Sequence, residues 1–154
     1  MTFTEQSYID VDFSREVIET QELTGIQFQR CSFRGADFTS VEIMYNCKFD
    51  TCDFTDGQLN GVVAKSCAFL SCKFISTSFF ATKLEECKMT GSDFRESELG
   101  MAIIIGGDFT YTLLRKQSFQ KMDLSNIRFE GADLSNCHFN QCKMNDCVFD
   151  EAIP

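Results

Sequence analysis

A five-residue rhythm runs through this chain from Phe3 to Phe149 and limits what it can fold into. All but one of its 17 phenylalanines keep to the rhythm, and its nine cysteines fall two places before the large residue of their units. The chain reads Cys31-Ser-Phe33-Arg-Gly, Ala36-Asp-Phe38-Thr-Ser, Cys52-Asp-Phe54-Thr-Asp, and so on to Cys147-Val-Phe149-Asp-Glu. Let i denote the large residue. It falls at Phe3, Tyr8, Phe13, Ile18, Leu23, Phe28, Phe33, Phe38 and Ile43, and one extra residue in Met44-Tyr45-Asn46 then shifts the frame. The rhythm resumes at Phe49, Phe54 and Leu59, passes through Ala64, and holds from Phe69 onward. Position i−2 carries small residues almost throughout, while i−1, i+1 and i+2 are mostly polar.

A period of five fits neither a helix, at about 3.6, nor a strand, at about 2. A short fixed period means a solenoid, in which each unit buries its apolar face by stacking on neighbours. The units, as in Gly131-Ala132-Asp133-Leu134-Ser135, resemble the pentapeptide-repeat family, strongly over 26–150 and weakly over 3–25. The resemblance implies an all-β fold: a right-handed quadrilateral β-helix, four pentapeptides per coil and about seven coils, with i and i−2 pointing inward. Residues 1–154 then form one domain. Stacking units four apart sorts the interior into columns: Phe28, Phe49, Phe69, Met89 and Phe109 in one, Leu23, Ile43, Ala64, Leu84 and Ile104 in another. A wrong coil length would scramble these types. Coils about 4.8 Å apart give a rod of roughly 35 Å.

Composition excludes several functions. The net charge of −9 argues against direct contact with nucleic acid or an anionic membrane. No apolar run approaches the roughly 18 residues that span a bilayer. No secretory signal is visible at the start, the cysteine count is odd and the cysteines share one phase, so reduced, buried thiols in a cytoplasm are expected. The only histidine, His138, sits at an outward i−1 position, and the spacing of the cysteines does not match a zinc site. There is no Walker loop, nucleophile elbow or His-Glu-x-x-His arrangement, so neither an enzyme nor a cofactor is expected.

The expected role is therefore macromolecular interaction, and two surfaces compete for it. Some family members, the Qnr-type quinolone-resistance proteins, are acidic rods that resemble duplex DNA and engage type II topoisomerases. That resemblance makes DNA gyrase or topoisomerase IV a candidate partner, with Glu42, Asp50, Asp53 and Asp56 as candidate contacts. The acid is unevenly spread, with 11 acidic and 4 basic residues among 1–60 but 12 and 10 beyond. No C-terminal helical dimer module of the kind those relatives carry is expected within residues 1–154. The alternative is a scaffold that binds another protein through outward apolar side chains, with Phe80, Met101, Ile103 and Ile105 as candidates and Val63, Leu70 and Ile75 nearby in the pattern. Gln117, at a position that elsewhere is small, predicts a widened coil continuing through Met122 and Ile127. An end of the rod left uncapped would allow a homodimer.

Overall fold

The computed structural model describes residues 1–154. Each pentapeptide forms one side of a four-sided coil, because the chain turns at i+2 in almost every unit. From Tyr8 onward these residues have positive φ, as at Asp10 (56°), Arg15 (62°), Thr51 (55°) and Lys116 (67°). This left-handed conformation turns the backbone sharply without a longer loop. On the second and third faces, and on the first from Met89 onward, the corner is closed by a hydrogen bond from the i+3 amide to the carbonyl of i, as from Gly57 to Phe54 (2.8 Å) and from Ser92 to Met89 (3.1 Å). Only Thr20, Ser40 and Met101 break the pattern.

Two faces contain the regular strands. The first carries β1 (Ser7–Ile9), β3 (Gln27–Gln29), β5 (Lys48–Asp50) and β7 (Ala68–Leu70) in parallel register, and is continued after Lys88 by β10 (Gly107–Asp108) and β11 (Ile127–Arg128). The fourth carries β2 (Glu22–Thr24), β4 (Ile43–Tyr45), β6 (Val63–Lys65), β8 (Lys83–Glu85) and β9 (Ile103–Ile105). The second and third faces are held by isolated parallel bridges such as Asp53 to Lys73 and Gln58 to Ser78. From Phe28 the first column runs through Phe49, Phe69, Met89, Phe109 and Phe129 to Phe149, six turns of the solenoid, with Tyr8 one turn earlier.

The register corrects one expectation. Met44, not Ile43, lies between Leu23 and Ala64, and Met44 is buried while Ile43 is half-buried. The extra residue therefore sits between the buried residues Val41 and Met44 rather than in 44–46. The long unbranched Met44 side chain offsets the small Ala64 stacked beside it.

Stacked rings fill the core. Phe49 lies 4.8 Å from Phe28 and 4.9 Å from Phe69, with planes nearly parallel. Phe33, Phe54, Phe74 and Phe94 repeat the arrangement at 5.0–5.1 Å. The N-terminal end is closed by Phe3, whose ring packs edge-on against Tyr8, Phe13 and Phe28. Small polar side chains are tolerated at i−2 because each finds a carbonyl acceptor, in the preceding coil or, for Ser97 and Thr112, three residues back in its own. The Thr77 hydroxyl donates to the Phe54 carbonyl (2.8 Å), Thr82 to Leu59 (2.7 Å), Ser92 to Phe69 (2.7 Å), and the Cys72 thiol to Phe49 (3.2 Å). A buried donor is thus paired at every such step. All nine cysteines are free. Burial raises the Cys87 thiol to about 11 and Cys72 well above the ordinary thiol range.

Candidate interaction surface

The regular ladder fails in one region. At i−2, Gln117 brings a side chain too long for the core, and its amide inserts between two coils on the third face. Its Nε2 donates to the carbonyls of Phe94 (3.0 Å) and Ser97 (2.7 Å), and its Oε1 accepts the amide of Leu99 (3.0 Å). The Ser97 carbonyl and Leu99 amide would otherwise meet the next coil's backbone, as those of Gly57 and Leu59 meet Ser78, so one side chain replaces a stretch of ladder. The chain responds at Leu99–Met101, which forms a 3₁₀ turn in place of the left-handed corner. No backbone bond joins Glu98 to Phe79 on one side or to Ser118 on the other.

The opening continues onto the fourth face. Met122 is again bulky at i−2, and it is only half-buried. The sheet ends at β9: no hydrogen bond connects Ile103–Gly106 with Asp123–Asn126. A cleft of about 400 Å³ lies there, with Ile103, Ile105 and Met122 as its apolar lip and Glu86 and Asp123 as its charges. A second cleft, about 340 Å³, separates Ser76–Phe80 from Glu96–Glu98 on the third face. The widened coil expected from Gln117 and Met122 is therefore present as a split seam, but it does not continue through Ile127 as expected: Ile127 is buried and pairs with Gly107 in the β10–β11 ladder, where the missing side chain of the glycine leaves room for it.

The expected apolar residues gather on this seam. Phe80, Met101 and Ile103 are each more than half exposed and Ile105 is 42% exposed, whereas Val63, Leu70 and Ile75 are half-buried along their strands and corners. Phe80 and Met101 line the third-face cleft, while Ile103 and Ile105 line the fourth. The acidic lining residues Glu86, Glu96, Glu98 and Asp123 were not anticipated. Each occupies an ordinary outward position, and only the bulky i−2 residues signal that the coils part there.

The acidic candidates do not form a site of their own. Glu42 lies beside β4 on the fourth face, Asp50 ends β5 on the first, and Asp53 and Asp56 belong to the second face and its corner. Asp53 is occupied locally: it accepts the Thr55 amide (2.9 Å) and hydroxyl (2.5 Å) and faces Arg34 (3.4 Å). Asp12, Asp37, Asp93, Asp108, Asp123 and Asp133 likewise accept the amide two residues on. These are turn-fixing carboxylates at i−1. His138 is exposed, as expected. No group of three or more His, Cys, Asp or Glu residues could hold a metal ion, and no helix is long and apolar enough to cross a membrane.

A parallel, four-sided coil with a large apolar residue every five defines a β-solenoid. The chain belongs to the pentapeptide-repeat family: its pentapeptide repeats (8 copies) model matches residues 22–56 and its pentapeptide repeat region model matches 62–136. No curated protein sequence matches the chain. The structure is similar to full-length QnrB1, a plasmid-mediated fluoroquinolone resistance protein, with a TM-score of 0.62 at 19% identity over 95% of this chain and 85% of that one. A trypsin-treated form of QnrB1 matches at 0.62, 21% identity, 95% and 81% coverage. HetL, involved in heterocyst differentiation regulation in the cyanobacterium Nostoc sp. strain PCC 7120, matches at 0.46, 14% identity, 99% and 86% coverage.

Proposed function

We propose that this rod is a non-enzymatic interaction protein that binds a protein partner through the split seam on its third and fourth faces. The observation that carries the reading is the coincidence of the interrupted ladder with Phe80, Met101, Ile103 and Ile105, four exposed apolar side chains gathered at the break, whereas others such as Ile9, Val17 and Tyr111 lie on unbroken coils. Contiguous exposed apolar side chains rimmed by polar ones are characteristic of protein contacts. A photocrosslinking residue placed at Met101 or Ile103 captures one defined protein in the native cell, whereas the same group at exposed Lys73 on the second face does not. Equal labelling from all three positions overturns the reading.

A second reading concerns the identity of that partner. The net charge of −9 and the fold shared with a fluoroquinolone resistance protein favour a type II topoisomerase, with the protein cytoplasmic as its free thiols favour. Mimicry of a DNA backbone receives less support, because Glu42, Asp50, Asp53 and Asp56 spread over three faces. Gyrase supercoiling is measured with a quinolone present and the protein titrated in. Rescue or direct inhibition supports the reading, and no effect at a large molar excess removes it. Loss of the effect in Ile103→Asp/Ile105→Asp assigns the contact to the seam; loss only in Asp53→Lys/Asp56→Lys assigns it to acidic mimicry.

Self-association is proposed at the last coil. Leu134, Phe139, Met144 and Phe149 surround an apolar cavity of about 470 Å³ there, and Ile153 extends the second face instead of covering it. Sedimentation should show a dimer that Met144→Glu/Phe149→Glu dissociates; a monomer at high concentration rejects this contact.

A further inference from the structure

The fourth-face cleft has a property that the apolar lip alone does not confer. In a parallel sheet, alternate residues direct both their amide and carbonyl to the same neighbour. Ile103 and Ile105 bond back to the preceding coil, as in the bond from the Ile103 amide to the Thr82 carbonyl (2.8 Å). The amides of Ile104 and Gly106 and the carbonyls of Ala102 and Ile104 point the other way. None of the four has a hydrogen-bond partner in the protein. Across the cleft the Ser125 amide is turned onto the Asp123 carboxylate (3.0 Å) instead of toward β9. An interior strand edge is thus open in the middle of a solenoid, and backbone groups in such a position call for partners.

We propose that the edge of β9 receives an extended segment of a partner protein, one carrying alternating aliphatic and basic side chains. This rests on the reading of the seam as a protein-binding surface and names the chemistry of its occupant. Main-chain bonds to Ile104, Gly106 and Ala102 set the register, as in other strand additions. The segment alternates inward and outward as β9 does, so its inward side chains pack against Ile104 and Met122. Its outward ones lie beside Ile103, Ile105, Glu86 and Asp123, and no lysine or arginine lines the cleft. Of the two clefts on the third face, one adds Glu96 and Glu98 without a base, and the other sets Lys116 against Glu98. Charge complementarity therefore selects a cationic strand over an acidic one.

The test is amide hydrogen exchange by NMR on the full-length protein, with a short synthetic peptide of alternating valine and lysine as the probe. In the free protein the Ile104 and Gly106 amides exchange faster than those of Ile103 and Ile105. The peptide slows them by about tenfold or more. A valine–glutamate peptide of equal length, or the lysine peptide N-methylated at alternate residues, leaves them unchanged. Met122→Ser, which restores a small i−2 residue, closes the seam and removes the peptide effect. Should that variant not fold, Ile103→Lys/Ile105→Lys serves instead, since both side chains are outside the core. The proposal is overturned if Ile104 and Gly106 are as protected as Ile103 without peptide, or if millimolar peptide slows neither. A crosslink from Ile103 in cells together with unchanged amides would keep the protein-binding reading and reject strand addition. Protected amides without a crosslink would do the reverse.

Discussion

At the scale of single residues, the structure depends on what each of the five positions can satisfy. Phe49 has a ring stacked on either side, and its neighbours are held by their own coils. Phe49→Ala should cost about 3–5 kcal/mol in chemical denaturation, because the cavity cannot collapse. Gln117 is the one long polar side chain in the core. Gln117→Ala strands two backbone groups, the Ser97 carbonyl and the Leu99 amide, while the Phe94 carbonyl keeps the Ser97 hydroxyl, and it should cost about 2–4 kcal/mol by the same assay. Gln117→Thr should cost less, since a threonine can donate to the Phe94 carbonyl as Thr77 does to Phe54. The turn carboxylates give a pH dependence. Asp12, Asp123 and Asp133 have their pKa lowered, first by the side-chain hydroxyls of Ser14, Ser125 and Ser135 and then by the backbone amides of the same serines. Their folded values lie below the unfolded ones, so their contribution is complete above the ordinary aspartate pKa of about 3.9 and is lost as pH falls through the lowered values. Acid titration of stability should show this loss below about pH 4, reduced in Asp133→Asn.

At the scale of the coil, each element is defined by small residues in the right place. Gly107 occupies an i−2 position with φ of 112°, and a Cβ there would meet the Cys87 carbonyl at 2.6 Å. Gly107→Ala should destabilise by about 1–3 kcal/mol, measured by thermal unfolding. The thiols give another readout. Desolvation holds Cys72 and Cys87 neutral, while Cys137, Cys142 and Cys147 near the last coil are only partly buried. Native reaction with a thiol reagent should stop at these three until the protein unfolds. The coil length and the inward sorting of Phe28, Phe49 and Phe69 were legible from the sequence because a period of five leaves one way to bury every large residue. The place of the extra residue was not, because Ile43 and Met44 are both large and apolar. Only the pairing with Leu23 and Ala64 distinguishes them.

At the scale of the whole molecule, the seam divides the rod. Gln117 and Met122 announced a wider coil, since bulky side chains at i−2 must displace something, whereas bulky Ile127 is accommodated opposite Gly107 with the ladder intact. Which bonds would break was not legible, because the response at Leu99–Met101 lies nearly a full coil earlier in the chain. In the acidic set, residue type alone could not separate turn-fixing Asp53 from free surface charge. Stability in a solenoid is close to a sum over neighbouring coils, so a weakened interface lowers cooperativity there. The polarity of the i−2 bonds has a consequence for how such a chain is made. The hydroxyls of Thr77, Thr82 and Ser92 and the thiol of Cys72 all donate to carbonyls that precede them by 23 residues. The i−2 side chains of each newly added turn thus find their acceptors already in place, although backbone amides such as that of Phe54 wait for the carbonyl of the coil to come. A polypeptide leaving the ribosome amino end first can wind itself up at the pace of translation, with a pause expected where Gln117 must reach back to Phe94 before the next winding can close.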